Sequence, residues 1–235
     1  MVNKLLLSII PLFALYLLTP IHTSSLPRSL MSGALIEFLA PPYSDVDVYS
    51  YSRGVSQALY SYSLSLGRLE SFAKSMKGFG SLSSESEVTV ILIREWLPDF
   101  NGKVVEIEVT YSLKGFLYVE AASNPNTYTA TSQVYFCIEF GSNRFVLESA
   151  NLDLYGSGSR EQYFNMVNQV KRFAVQMSVS KGERILLRVI LYVKAGTYGA
   201  LEDYSFATSD FYSGNFGATI SVKIYYQEET LIEVE

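Results

Sequence analysis

From Ser44 onward, apolar and polar residues alternate with a period of two, the pattern of strands that bury one face. DVDVYSYS (Asp45 to Ser52) shows it first. ALYSYSLSLG (Ala58 to Gly67) then sets Ser61, Ser63 and Ser65 between Tyr60, Tyr62, Leu64 and Leu66. Read as a strand, this stretch sends rings and leucines inward and leaves an uncharged hydroxyl face outside. EVTVILIREW (Glu87 to Trp96) and KVVEIEVTYSL (Lys103 to Leu113) flank Pro98, Asp99, Asn101 and Gly102, residues that favour a hairpin connection. GFLYVEAAS, SQVYFCIEF, NRFVLESANLDLY, YSFATSDF and FGATISVKIYYQEE continue the rhythm. RILLRVILYVKAG (Arg184 to Gly196) is apolar enough for the centre of a sheet.

Two stretches break the period. Leu30, Met31, Ala34, Leu35 and Phe38 have helical spacing until Pro41 and Pro42, so residues 26–42 read either as a short helix or as an extended apolar arm. In GSGSREQYFNMVNQV, Ser159 and Gln162 resemble a capping box, and Tyr163, Met166, Val167 and Val170 repeat at helical intervals. This predicts a short helical crossing before the strand pattern resumes at Phe173. About ten strands with turn signals between them specify an all-β, jelly-roll-like antiparallel β-sandwich. No repeat of solenoid or propeller length interrupts it.

The first residues follow another logic. Lys4 precedes the apolar run Leu5 to Leu18, then Pro20 and the small polar residues Thr23, Ser24 and Ser25. That order is a secretory signal, and a run broken at Pro11 falls short of the roughly 20 residues a membrane span needs. The expected organisation is a signal peptide at 1–25, an arm at 26–42 and one sandwich domain at 43–235, exported to the cell surface or beyond and not membrane-spanning.

Composition then narrows the chemistry. The chain carries 18 Lys and Arg against 23 Asp and Glu, and its basic residues are scattered, with Lys171 and Arg172 the adjacent pair. A nucleic-acid-tracking surface needs clustered cations, so nucleic acid is not an expected partner. The one histidine, His22, falls inside the predicted signal. Cleavage there leaves a chain without imidazole, which closes Ser-His-Asp and Cys-His catalysis and most transition-metal chemistry. Cys137 is the one cysteine and sits in a strand pattern, where packing as a small hydrophobe competes with pairing between molecules.

Carboxylates remain as candidate catalysts. Glu106 and Glu108 share a strand face about 7 Å apart, within the range used for glycoside hydrolysis. Two solvated acids explain the pair equally well. Oxygen ligands for a structural calcium are offered by Asp203 and Asp210, together with Glu202, or by Asp45 and Asp47. No other cofactor is expected.

Aromatic residues are abundant: 18 tyrosines, 14 phenylalanines and one tryptophan. Trp96, Tyr128, Tyr198 and Tyr212 fall at or near turns, where rings are available to sugars. Two functional classes follow. The first is a non-enzymatic structural subunit that assembles with itself or another envelope protein, using Leu30, Leu35 and Phe38 of the arm or its edge strands. The alternative is an extracellular carbohydrate-binding module on the same scaffold, with glycan as partner and calcium as an optional support.

Overall fold

The computed structural model describes residues 35–78, 83–122, 128–199 and 204–226. The predicted signal, Leu30, Glu202 and Asp203 lie outside the described residues. Twelve strands are described: β1 (Leu35–Ala40), β2 (Asp45–Arg53), β3 (Val55–Ser63), β4 (Arg68–Lys77), β5 (Ser84–Trp96), β6 (Gly102–Ala122), β7 (Tyr128–Phe140), β8 (Asn143–Tyr155), β9 (Gly158–Val179), β10 (Ile185–Thr197), β11 (Tyr204–Phe211) and β12 (Gly217–Tyr226).

They form two antiparallel sheets. One has five strands in the order β2-β5-β10-β7-β8, and the other has seven, with β3-β4-β11-β6-β9 as one half and β1-β12-β6-β9 as the other. Within them, β4-β11-β6-β9 and β5-β10-β7-β8 are the two four-stranded layers of a jelly roll. The sandwich expected from the alternation is therefore present. Strand β6 serves both halves of the larger sheet, pairing β12 along its first part and β11 along its second. Its register against β9 shifts between Tyr111 and Leu113, where the ribbon changes course. At Gly115 a side chain has no room, because a Cβ would meet the Asp210 carbonyl oxygen and the Phe211 ring at 2.4 Å.

The core follows from the period of two. Leu187, Val189, Leu191 and Val193 of β10 point inward with Val88, Val90 and Leu92 of β5 and Phe136, Ile138 and Phe140 of β7. Ile107, Val109, Leu117 and Val119 of β6 meet them from the other sheet. Each such side chain contributes roughly 1.5–3 kcal/mol through burial. Where the sheets meet near β11, hydroxyls replace hydrocarbon: Ser132 donates to the Thr208 carbonyl at 2.7 Å, and Ser209 donates to the Lys194 carbonyl at 2.5 Å. Small buried hydroxyls thus tie one sheet to the other and satisfy backbone acceptors that would otherwise be costly to bury.

Two expectations change, and the open choice between helix and arm is decided at its described end. Residues 158–179 are one strand, β9, instead of a helical crossing. Continuous pairing with β6 overrides the helical spacing of Tyr163, Met166, Val167 and Val170, and Asn168 absorbs the irregularity with a φ of 49°. The described end of the arm is also extended, since Leu35 to Ala40 pair along β12 of the same chain. In β3, Tyr60 and Tyr62 share the inward side with Ser71 and Leu69 of β4, as the alternation implies. Their rings nevertheless stay 45% and 43% exposed, because β3 is the outermost strand and nothing described covers them.

Candidate ligand face of the five-stranded sheet

Side chains that alternate with the core residues of β2, β5, β10, β7 and β8 stand on the outer surface of the smaller sheet. Cross-strand pairing arranges them in rows. Tyr49, Thr89, Tyr192, Tyr135 and Ser149 make one row, each paired with the next. The neighbouring row is Tyr51, Glu87, Lys194, Gln133 and Asn151. On the other side lie Asp47, Ile91, Ile190, Cys137 and Val146. With strands about 4.8 Å apart, the step from Tyr49 to Tyr135 crosses three intervals, or about 14 Å.

Tyr49 is 63% exposed and Tyr51 44%, on an edge strand. Tyr192 and Tyr135 are half-buried between their neighbours in the central strands. The Tyr192 hydroxyl donates to Glu87 Oε2 at 3.1 Å. Burial, reinforced by the negative charge of Glu87, holds its ionisation well above the ordinary tyrosine range. Burial likewise pushes Tyr135 and the Cys137 thiol up to about 12. The thiol is buried beneath this face, which removes it from intermolecular pairing in the folded chain.

The polar groups of the face are mostly engaged with each other. Gln133 Nε2 donates to Thr131 Oγ1 at 3.4 Å, Thr131 Oγ1 to Asn151 Oδ1 at 3.1 Å, and Asn151 Nδ2 to Asp153 Oδ2 at 2.6 Å. Lys194 pairs with Glu85, and Arg144 and Arg188 both reach Glu139. The result is a row of rings bordered by amides, hydroxyls and the charged Glu87 and Lys194, with Lys194, Arg144 and Arg188 held by carboxylates. Such a surface suits an uncharged ligand that offers both apolar C–H patches and hydroxyls.

The residues singled out from the sequence are dispersed. Trp96 is 1% exposed, with ring centroids 5.8 Å from Phe100 and 5.5 Å from Phe140, so it is a core residue and cannot stack on a ligand. Tyr198 does reach the rim: its hydroxyl donates to Glu85 Oε1 at 3.1 Å, and its ring lies over Gly196. Tyr128 opens β7 and pairs with Tyr155. Tyr212 is half-buried in the turn after β11, on the other sheet. Leu35 and Phe38 lie in β1, opposite Tyr226 and Lys223 of β12. Alternation assigns Tyr49, Tyr51, Tyr135 and Tyr192 each to a side of its own strand, whereas only strand order makes them neighbours.

Of the acids considered for an ion, Asp210 and Asp45 have described partners. Asp210 is buried and accepts the backbone N–H groups of Tyr212 and Ser213 at 3.0 and 2.9 Å, which makes it a turn residue. Asp45 accepts the Val46 N–H at 2.8 Å. Among the described residues, no group of three or more acidic, histidine or cysteine side chains converges on a metal position. Glu106 and Glu108 stand on the opposite sheet, both against Arg172, at 3.9 and 2.5 Å, and Lys223 lies 3.7 Å from Glu108. A depression of about 180 Å³ on that sheet, beginning one row from the Glu108–Lys223 pair, is lined by Thr110, Ser112, Asn168, Thr219 and Ser221 among others, with no carboxylate among its lining residues.

No protein-family model and no curated protein matches this sequence. Solved structures with a low likeness include TmCBM61 in complex with β-1,4-galactotriose, at 8% identity over 79% of this chain and 90% of that one, with a TM-score of 0.20. A family 11 carbohydrate-binding module from Clostridium thermocellum, in complex with a β-1,3-1,4-mixed-linked tetrasaccharide, is 12% identical over 85% of this chain and 100% of its own, with a TM-score of 0.22. The enzymatically active domain of bacteriophage CBA120 tailspike protein 4 is 12% identical over 77% of this chain and 19% of that one, with a TM-score of 0.18. TM-scores near 0.2 establish neither a shared site nor a shared ligand, so the functional reading rests on this chain's own residues.

Proposed function

We propose that this chain is a non-catalytic, exported glycan-binding sandwich whose ligand lies across the outer face of the five-stranded sheet. The observation that carries the reading is the row Tyr49, Tyr192 and Tyr135, with Tyr51 beside it and Gln133, Asn151, Glu87 and Lys194 along its border. A pyranose ring has one face of C–H groups and a perimeter of hydroxyls. Tyrosine meets both needs, since its ring takes the apolar face while its hydroxyl stays in water or hydrogen-bonds. A row about 14 Å long suits an oligosaccharide better than a single sugar. The cations Lys194, Arg144 and Arg188 of the face are held by Glu85 and Glu139, which favours a neutral ligand over an anionic one.

Titration calorimetry against neutral β-linked gluco- and galacto-oligosaccharides, with α-linked malto-oligosaccharides as a second series, tests this. Binding to at least one series is expected, with Tyr49→Ala and Tyr192→Ala each weakening it by about tenfold or more, the scale of a lost aromatic anchor. Affinity unchanged in both variants removes the face from the account. EDTA is expected to leave binding intact, since rings and amides need no ion. A loss on chelation would direct attention to Asp45 and Asp47 on the border of the same sheet.

A further inference from the structure

Strand β10 runs through the centre of the five-stranded sheet, and its outward series Arg188, Ile190, Tyr192 and Lys194 ends at Gly196. A glycine inside a central strand gives up side-chain packing, so it marks a place where another group comes close to the backbone. Here that group is Tyr198. A Cβ on Gly196 would stand 2.4 Å from the Tyr198 hydroxyl oxygen and 2.9 Å from Cε2 and Cζ of the same ring. The three nearest atoms thus belong to one side chain, folded back onto its own strand.

The ring is fixed at both ends. Its hydroxyl donates to Glu85 Oε1 at 3.1 Å, and Lys194 holds the same carboxylate oxygen. The Tyr198 backbone N–H donates to the Thr129 carbonyl at 2.9 Å, and its carbonyl accepts from Ser205 Oγ at 3.4 Å. Thr197 before it is buried, with its hydroxyl oxygen 2.9 Å from that of Ser75 on the other sheet. A half-buried ring held in this way has little freedom left to lose when a ligand touches it, which favours binding.

Its position sets it apart from the other rings. Cross-strand pairing places Glu85, Gly196, Thr131 and Asp153 in one row, parallel to the row of Tyr49, Tyr192 and Tyr135. Gly196 lies four residues beyond Tyr192 on the same strand, about 13 Å away by strand rise. Thr131 and the Asn151–Asp153 pair supply donors and acceptors beside it. An oligosaccharide lying straight along the tyrosine row runs across the strands and does not meet Tyr198. One that meets both carries a second limb along β10.

Resting on the glycan reading above, we infer that Tyr198, seated on Gly196, is a second sugar platform set off the tyrosine row, and that the ligand is a branched neutral glycan. Gly196 is the positioning residue: it has no positive φ, so alanine there displaces the ring and leaves the strand in place. Calorimetry on the full chain compares linear with branched probes, cello-oligosaccharides against xyloglucan oligosaccharides and malto-oligosaccharides against branched limit dextrins. At least one branched probe is expected to bind about tenfold more tightly than its linear parent. Gly196→Ala and Tyr198→Ala each remove that advantage and keep the linear affinity, which also shows that the variants fold. The double variant binds no more weakly than Tyr198→Ala, because the glycine acts only through the ring. Branched and linear probes bound alike, or an advantage that survives both substitutions, overturns the platform and leaves the tyrosine row standing. Loss of linear and branched affinity together in Tyr198→Ala makes the residue a structural prop and overturns the platform equally. No binding of any probe by the unmodified chain removes the glycan reading and the platform with it.

Discussion

On the five-stranded sheet, the outward positions of the central strands carry Tyr192, Tyr135, Thr89, Gln133 and Lys194; the corresponding positions of the seven-stranded sheet carry Phe72, Phe206, Phe116 and Tyr118 around Thr208 and Asp210. Both surfaces arise from the same alternation and stand on opposite sides of one core. The difference lies in the ring hydroxyls and in the amides beside them. A tyrosine flanked by hydrogen-bonding groups remains compatible with water and with a hydroxylated ligand. The phenylalanines of the other face offer no hydroxyl and lie half-buried, beside Met76 and Leu59 but also beside Lys74, Glu120 and Asp210. The tyrosine face is thus the better suited to exchangeable contact with a hydroxylated ligand.

The comparison breaks most severely if the shared core is removed. Trp96→Ala is expected to cost about 3–5 kcal/mol in denaturant unfolding and to weaken glycan binding with it, whereas Trp96→Phe retains much of both. Loss of glycan binding alone, with stability intact, would return Trp96 to the ligand face.

Alkali sharpens the contrast next. Cys137 and Tyr135, both at outward positions of the five-stranded sheet, are raised from 9.0 and 10.0 to about 12 by burial. Between about pH 9 and 12 the unfolded chain has lost these protons while the folded chain keeps them. Stability is therefore complete below pH 9 and falls as the pH rises through that window. Urea midpoints measured from pH 7 to 12 should decline accordingly, and Cys137→Ala should flatten the part of the decline that begins near pH 9. A flat profile contradicts the burial of these groups.

A smaller effect comes from exchanging hydroxyls between the faces. Tyr192→Phe removes the bond to Glu87 and is expected to cost about 1 kcal/mol of stability and a few-fold in glycan affinity. Phe72→Tyr adds a hydroxyl to the other face and should leave glycan affinity unchanged. The smallest change is expected from Glu106→Gln, because its partner Arg172 keeps the closer contact with Glu108. A stability change within about 1 kcal/mol is expected by thermal melting, with no sugar release by either form. Hydrolysis abolished by this substitution would replace a binding function with a catalytic one.

Much of the fold was legible because burial in a sandwich imposes a period of two. Residues 184–196 read as a central strand and lie at the centre of the five-stranded sheet as β10. Local pattern failed where pairing was not local. Tyr163, Met166, Val167 and Val170 fit a helix by spacing, yet β6 offers a partner along nearly the whole of β9. Tyr60 and Tyr62 were assigned to the right side but the wrong environment, since alternation does not reveal that a strand is the last in its sheet. The candidate site was less legible still. Turns drew attention to Trp96 and Tyr212, while the rings that share a surface come from the middles of β2, β10 and β7, residues 49, 192 and 135. Their proximity is a property of strand order, which non-local pairing decides.

Hydrogen–deuterium exchange with and without a bound neutral oligosaccharide compares the two faces within one molecule. Added protection is expected in β2, β5, β10 and β7, with β4, β11 and β6 unchanged. Protection confined to β4, β11 and β6, or none at saturating ligand, contradicts the assignment of glycan binding to the tyrosine row.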